Sequence, residues 1–169
     1  MPIIKQVRGF NPIFGENCWF AETSVLIGDI TAGDDCTFWY NTVVRGDVNS
    51  IRIGNKVNVQ DNATIHCTYE KAETIIEDNV SIGHNAIIHG CKLEKSSLVG
   101  MGSIVMDHAI VGEGSIVAAG SVVLEGTKIE QGVIYAGAPA RFVKEVDDKN
   151  AEMISRIAGN YIKYADWFK

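Results

Sequence analysis

An aliphatic residue recurs at every sixth position through much of this 169-residue chain. A period of six fits the alternation of a β-strand, whereas residues six apart on a helix point to different sides. A small or β-branched residue stands four positions after each aliphatic one. Short strands that turn a corner every six residues are therefore predicted. The clearest aliphatic series is Val99, Val105, Val111, Val117, Val123 and Ile129.

This periodicity resembles that of the hexapeptide-repeat left-handed β-helix family. The resemblance implies three hexads in each triangular coil, with equivalent positions of successive coils stacked one strand spacing, about 4.8 Å, apart. The predicted fold is all-β, a left-handed parallel β-helix shaped as a triangular prism, with a C-terminal α-helix. The handedness follows from the resemblance alone.

Glycine often follows the aliphatic residue of the repeat. Because glycine adopts positive φ at little cost, we expect these glycines to form tight corners. They are Gly28, Gly54, Gly83, Gly100 and Gly112.

The repeat ends after Ile134, where Gly137 and Pro139 break the pattern. From Asp147 onward the apolar residues follow helical spacing, with Asp147 or Asp148 as the expected N-cap. We therefore expect a β-helix domain over residues 1–140. A helical tail over residues 141–169 should pack on the β-helix or on a neighbouring subunit.

Charge and hydropathy exclude several partners. The net charge is -6 and no basic cluster occurs, which argues against nucleic acid. No apolar run approaches the roughly 20 residues that span a bilayer, so no membrane segment is expected. The start of the chain lacks the features of a signal peptide, and a cytoplasmic location is predicted.

Three of the four histidines lie within one repeating stretch, and the repeat places them in columns. A three-residue insertion before Ile53 and a five-residue insertion that loops out residues 67–74 keep the coils aligned. Arg45, His66 and His89 then form an outward ladder on one face. Two imidazoles one strand spacing apart are well placed to share a tetrahedral metal.

His84 lies on a second face, in a column with Tyr40 and Asp61. A corner separates His84 from His89, so the three histidines do not converge easily within one prism. They can converge where this second face of one subunit meets the histidine ladder of the next. The sequence thus suggests a cyclic homo-oligomer with metals between subunits, and a triangular prism favours a trimer. His108 is expected to be an ordinary surface histidine.

A set of short motifs resembles the γ-class carbonic anhydrases and their bacterial relatives. The resemblance implies a homotrimer in which His66 and His89 of one subunit and His84 of its neighbour hold Zn²⁺, or else Fe²⁺ or Co²⁺. A metal-bound hydroxide would then hydrate CO2 to bicarbonate. The motifs are Arg-Gly-Asp at 45–47, Asn-Val-Gln-Asp-Asn at 58–62, Ile-His at 65–66, Ile-Gly-His-Asn-Ala at 82–86 and Ile-His-Gly-Cys at 88–91.

The same resemblance implies roles for four further residues. Gln60 matches the residue that hydrogen-bonds the metal-bound water or the product. Arg45, Asp47 and Asp61 match a charged group beside the site. A salt bridge that fixes the trimer is the alternative for these charges, more so for the two aspartates than for Arg45.

One departure concerns proton transfer. Val48 stands where the archetypal enzymes carry a proton-shuttling glutamate, and the loop after His66 offers only Glu70 and Glu73 as imperfect replacements. Since proton release must keep pace with turnover, we expect weak or conditional carbonic anhydrase activity.

Two alternatives stay open. The first is a hexapeptide acyltransferase that uses acetyl- or acyl-CoA, with one histidine as general base. Its support is the fold and the Ala-Gly-Ala-Pro-Ala-Arg segment at residues 136–141, which resembles the ends of those enzymes. The second is a non-catalytic trimeric scaffold that retains a metal site.

Overall fold

Each coil lays short strands in parallel register on the coil before it, in a computed structural model that describes all 169 residues. Ile65 shows the register, since it pairs with Val44 on one side and with Ile88 on the other. About seven coils stack in this way and a single helix follows them. The predicted parallel β-helix with a C-terminal helix is confirmed.

The strands are short because each face of the prism is short. In chain order they are β1 (Ile3–Lys5), β2 (Ile13–Phe14), β3 (Trp19–Phe20), β4 (Val25–Ala32), β5 (Thr37–Phe38), β6 (Val43–Ile53), β7 (Asn58–Val59), β8 (Thr64–His66), β9 (Thr74–Ile76), β10 (Ser81–Ile82), β11 (Ile87–His89), β12 (Lys92–Leu93), β13 (Leu98–Val99), β14 (Ile104–Val105), β15 (Ile110–Val111), β16 (Ile116–Val117), β17 (Val122–Val123), β18 (Lys128–Ile129), β19 (Val133–Gly137) and β20 (Ala140–Glu145).

Three faces bound the prism. Face one contains the second halves of β4 and β6 together with β9, β12, β15 and β18. Face two contains β3, β5, β7, β10, β13, β16 and β19. Face three contains the first halves of β4 and β6 together with β8, β11, β14 and β17. β4 and β6 bend round a corner, so one sheet covers faces one and three.

The aliphatic columns of the repeat fill the interior of the prism. Val59, Ile65, Ile82 and Ile88 are completely buried, as the six-residue period predicts. At the N-terminal end of the prism, aromatic rings occupy the interior in place of aliphatic side chains. The rings of Phe20 and Phe38 stack there with their centroids 5.3 Å apart. The hydrophobic effect of these columns holds the coils together.

The two predicted insertions are present with the expected lengths, but the segment looped out at the second has different limits. The pairing of β4 with β6 shifts by three residues after Gly28 and Gly46. In the second insertion Cys67 and Thr74 are both buried, and the Thr74 hydroxyl donates to the His66 carbonyl at 2.7 Å. The loop outside the coil therefore comprises residues 68–73, and the expected limits of 67 and 74 were wrong.

The repeat glycines mostly do not have the positive φ that the sequence suggested. Gly28 does, at +81°, whereas Gly54, Gly83, Gly100 and Gly112 do not. A Cβ on Gly100 would lie 2.5 Å from the amide nitrogen of Ala119 in the next coil. These glycines permit close approach between coils. The left-handed corners lie two residues further along, at positions such as Asn62, Asn85 and Gly102.

The C-terminal region differs from the expected domain boundary. β19 and β20 form an antiparallel pair, so strand structure continues to Glu145 and a boundary at 140–141 cuts through β20. The helix α1 spans Asp148–Ala165, and Asp147 caps it by accepting from the Asn150 amide at 2.9 Å. A 3-10 turn at Asp166–Phe168 follows.

Helix α1 packs on face two of its own chain. Ile154 is buried against Leu98 and Ile116 of β13 and β16. Nearer the N-terminal end of the prism, the ring of Tyr161 meets Trp39 edge to face at 5.3 Å. The chain has no helix with the length and hydropathy needed to cross a bilayer. The cytoplasmic location stays a prediction.

The two classes of glycine should respond differently to substitution. Gly100→Ala should lower the free energy of unfolding by roughly 1–3 kcal/mol, because the new methyl group overlaps the next coil. Gly102→Asn should be nearly neutral, since asparagine already occupies equivalent left-handed corners and tolerates positive φ. Urea unfolding curves measure both changes. A larger loss for Gly102→Asn than for Gly100→Ala would contradict the close-approach explanation.

Candidate metal centre

His66 and His89 are direct partners in the pairing of β8 with β11, so their rings rise side by side from face three. The Nδ1 atom of His66 lies 3.1 Å from the Nε2 atom of His89. A tetrahedral zinc with Zn–N bonds near 2.1 Å separates its ligand nitrogens by roughly 3.4 Å. The two facing nitrogens therefore fit a shared metal with little movement.

Each of the three predicted ligands has an aspartate on its other ring nitrogen. A carboxylate in this position fixes the tautomer and orientation of a histidine and strengthens it as a ligand. The arrangement leaves one nitrogen of each ring for a further partner. The contacts are His66 Nε2 with Asp47 Oδ1 at 3.0 Å, His84 Nδ1 with Asp61 Oδ2 at 2.9 Å and His89 Nδ1 with Asp107 Oδ1 at 2.6 Å.

Arg45 extends the contacts of His66. Its Nη1 atom lies 2.5 Å from Asp47 Oδ2, so Asp47 bridges the guanidinium and the imidazole. Burial opposes ionisation of Asp47, but the hydrogen bonds from His66 and Arg45 outweigh burial and lower the pKa of its carboxyl group. Burial also lowers the pKa of His66, although Asp47 acts in the opposite direction. The neutral ring that metal binding requires is thereby favoured.

His84 lies apart from the other two histidines, at the end of face two. Besides Asp61, it meets the hydroxyl group of Tyr161, which lies 3.4 Å from His84 Nε2. Burial and the nearby Asp61 raise the pKa of Tyr161 to about 12, so its hydroxyl stays protonated at neutral pH. No three His, Cys, Asp or Glu side chains of one chain converge into a metal site.

Gln60 does not join the histidine ladder within one chain. Its side chain is 5% exposed and donates from Nε2 to Asn58 Oδ1 at 3.0 Å. Asn58 donates in turn to the hydroxyl of Ser81 at 2.7 Å. Gln60 is therefore a fixed group on face two, the face that also carries His84.

The suggested proton-shuttle residues form no hydrogen bond or salt bridge with the histidines. Glu73 is exposed and accepts from the Ser50 hydroxyl at 2.7 Å. Glu70 is exposed in the loop of residues 68–73. Val48 packs its side chain against the core.

Sequence reasoning missed two residues at the site. Asp107 lies outside the recognised motifs, so the motifs do not indicate it, although its position stacks on Gly90 in the next coil. The hydrogen bonds from Thr68 and His89 lower the pKa of Asp107 in spite of its burial. Tyr161 falls among the residues with helical spacing in the C-terminal tail, and the spacing does not indicate its contact with His84. His108 is exposed, as expected.

Two repeat families match parts of the chain. Residues 90–125 match the bacterial transferase hexapeptide family with six repeats. Residues 73–106 match the hexapeptide repeat of succinyl-transferase. Both matches agree with the stacked coils.

Relatives that match over most of both chains identify the family more specifically than the repeat matches do. A carbonic anhydrase of Geobacillus kaustophilus is 38% identical, over 99% of this chain and 91% of the relative. A protein of Methanocaldococcus jannaschii, provisionally named a carbonic anhydrase, is 46% identical over 91% of this chain and 96% of the relative. The chain belongs to the γ-carbonic-anhydrase family. The resemblance stated from the motifs is thereby confirmed.

Other members of the family are longer. This chain spans 58% of the length of the mitochondrial γ carbonic anhydrases 1 and 2 of Arabidopsis thaliana, at 38% identity. Among solved structures, a hexapeptide transferase family protein of Anaplasma phagocytophilum superposes with a TM-score of 0.94 at 36% identity. The superposition covers 99% of this chain and 98% of the Anaplasma phagocytophilum protein.

Proposed function

We propose that this protein is a metal-dependent γ-carbonic anhydrase that interconverts CO2 and bicarbonate as a homotrimer. Each site would take His66 and His89 from one subunit and His84 from its neighbour. Zn²⁺ is the proposed metal, with Fe²⁺ or Co²⁺ as alternatives. The observation that carries the proposal is the aspartate on one nitrogen of each of these histidines.

The chemistry of the ligands suits catalysis. Three neutral imidazoles leave the double positive charge of the metal intact and a coordination position open, as in catalytic zinc sites. When bound, such a metal supplies Lewis acidity and a hydroxide nucleophile near neutral pH. The protein's own residues then have to orient the ligands, position CO2 and accept a proton.

The surfaces beside the histidines support the proposed assembly. In the next coil, the position that stacks on His89 is Met106, and the position that stacks on His84 is Met101. Both methionines are exposed, at 39% and 57%, and Leu124 extends the apolar column below Met106. Contiguous exposed apolar surface is typical of protein interfaces, and Met106 with Leu124 forms such a contiguous column. Burying the surface around Met106 of one subunit against the surface around Met101 of the next would bring His66 and His89 of the first close to His84 of the second.

Two other side chains have proposed tasks at this interface. The Arg45 guanidinium holds Asp47 against His66 and thereby fixes one ligand. Gln60 would reach the site from the subunit that supplies His84, because both lie on face two. Its amide can donate and accept at once, which suits the orientation of a hydroxyl group.

Proton release is the expected weakness of this centre. Asp47 and Asp107 are already held by hydrogen bonds, and neither Glu70 nor Glu73 forms a hydrogen bond or salt bridge with a histidine. A proton would therefore leave through solvent or buffer. This supports a hydration rate below that of enzymes with a dedicated shuttle.

The acyltransferase alternative is supported by the residue 136–141 segment and by transferase names, those of the two matched repeat families and of the Anaplasma phagocytophilum structure. An acyltransferase needs a single histidine as general base, whereas aspartates on three histidines suit metal ligands better. Acyl-CoA binding by protein that retains no stoichiometric metal would favour the transferase. Metal binding without CO2 hydration would favour a scaffold.

A mixed-subunit experiment tests the divided site. His84→Ala and His89→Ala should each abolish stoichiometric Co²⁺ binding by the trimer. In a mixed trimer, one interface joins the intact His66 and His89 of one variant to the intact His84 of the other. Elemental analysis of separated mixed trimers should therefore find one Co²⁺ per trimer, against three for the wild type.

The control for this experiment is the exposed His108→Ala, which should bind like the wild type. Recovery of no metal in the mixed trimers would place all ligands within one chain. It would thereby contradict the intersubunit site.

Stopped-flow CO2 hydration tests the reaction itself. The metal-loaded wild type should hydrate CO2, with a rate that rises with the concentration of imidazole buffer, because external buffer replaces a shuttle. Glu70→Gln and Glu73→Gln should each change this rate by less than about twofold, since neither residue touches the histidines. A fast rate that is independent of buffer and lost in either variant would refute the absence of a shuttle.

A further inference from the structure

We propose that Asp107 and Thr68 act together as the positioning pair for His89, and that the loop of residues 68–73 serves to hold this pair. The role rests on the proposed function, because it concerns a ligand of the proposed metal. It is separate from the ligand set, since neither residue would touch the metal. It also assigns a task to the loop other than proton transfer.

Both carboxylate oxygens of Asp107 are engaged. Oδ1 lies 2.6 Å from His89 Nδ1, and Oδ2 accepts a hydrogen bond from the Thr68 hydroxyl. With its second oxygen fixed, the carboxylate cannot rotate away from the ring. His89 is then held with its proton on Nδ1 and with Nε2 facing His66.

The backbone is shaped to admit this carboxylate. Asp107 is in the coil after His89, and the His108 amide donates to the Gly90 carbonyl at 2.7 Å, which places Asp107 beside Gly90. A Cβ on Gly90 would overlap the Asp107 carboxylate and lie 2.7 Å from the Cβ of Ala72. Glycine at position 90 is thus required by the approach of both neighbours.

The loop of residues 68–73 is fixed to the coil at Thr68, the residue that contacts Asp107. Thr68 and Ala72 form an antiparallel bridge that closes the loop. The side chain of Asn49 donates to the Thr68 carbonyl at 3.3 Å. Thr68 therefore holds its hydroxyl toward Asp107 from a fixed backbone position, and the loop acts as a brace.

Asp107 differs from Asp47 in its second partner. Asp47 shares its charge with the Arg45 guanidinium, whereas Asp107 is bonded to a neutral hydroxyl. The full negative charge of Asp107 is thus available to the His89 ring, which should make His89 the more strongly donating ligand of the pair.

Variants of both residues test the proposal in the assembled protein. Asp107→Asn keeps the size of the side chain and removes its charge, and it should weaken Co²⁺ affinity roughly 10–100-fold, the range for partners of metal-binding histidines. Thr68→Val should weaken Co²⁺ affinity to a smaller extent, whereas Thr68→Ser should keep the wild-type Co²⁺ affinity because it keeps the hydroxyl group. Glu77→Gln is the matched control, because it removes one charge from a salt bridge with Lys92 on face one.

Three readouts separate positioning from simple destabilisation. Competition with a chelator gives the Kd for Co²⁺, and the visible absorption spectrum of bound Co²⁺ reports ligand geometry. In the metal-free protein, ¹⁵N NMR of the imidazole rings should show His89 protonated on Nδ1 in the wild type and in Thr68→Ser. Asp107→Asn should show a mixture of tautomers.

Each outcome decides one question. Equal Co²⁺ affinity, equal spectra and equal tautomers in Asp107→Asn and wild type would overturn the positioning role and leave the proposed function standing. If the wild type binds no Co²⁺, the proposed function fails, and the NMR of the metal-free protein still decides whether Asp107 sets the tautomer of His89. A loss of affinity in Glu77→Gln as large as in Asp107→Asn would assign the effect to net charge and overturn the proposal.

Discussion

The parallel hydrogen bonding between successive coils is the constraint on which the rest of this structure depends. It ties each residue to the equivalent residue one strand spacing away, as in the pairing of Ile65 with Val44 and Ile88. Side chains therefore form columns, and a chemical group placed on one coil meets its neighbours at a set distance. The contact between His66 and His89 is a direct result of this register.

The same constraint governs where the chain can vary. Extra residues cannot be absorbed within a column without shifting every side chain after them, so they are confined to the corners between faces. After Gly46 the strand β6 continues and takes up the extra residues as a register shift, whereas residues 68–73 leave the coil as a closed loop. Polar groups such as Asp47 and Thr68 are brought to the histidines by these departures from the repeat.

Much of the fold and half of the candidate site can be predicted from the sequence, because a six-residue period determines which side chains stack on one another in successive coils. The period placed His66 beside His89 and set His84 apart from them. It could not show why Gly100 is a glycine, since close approach between coils depends on backbone positions in three dimensions. The antiparallel β20 escapes sequence analysis for a related reason, since Gly137 and Pro139 indicate a break in the repeat but do not show that the chain turns back.

Asp107 was also beyond the reach of sequence reasoning. Its contact with His89 depends on the space left by Gly90 and on a hydroxyl from a loop, and neither leaves a periodic signal. The three aspartates at the histidines also differ in ways that only coordinates reveal. Asp47 is bridged to a cation and Asp107 to a hydroxyl, while Asp61 lies near the half-buried phenol of Tyr161. Three similar contacts thus place the three rings in different electrostatic surroundings.

The separation of His84 from the other two histidines has a thermodynamic consequence for the proposed trimer. If the ligands are divided between subunits, metal binding and subunit association become linked equilibria, and each must strengthen the other by the same factor. Dilution would then release metal, and a chelator would loosen the subunits. The metal content of such a protein reports on its own concentration as well as on the supply of metal.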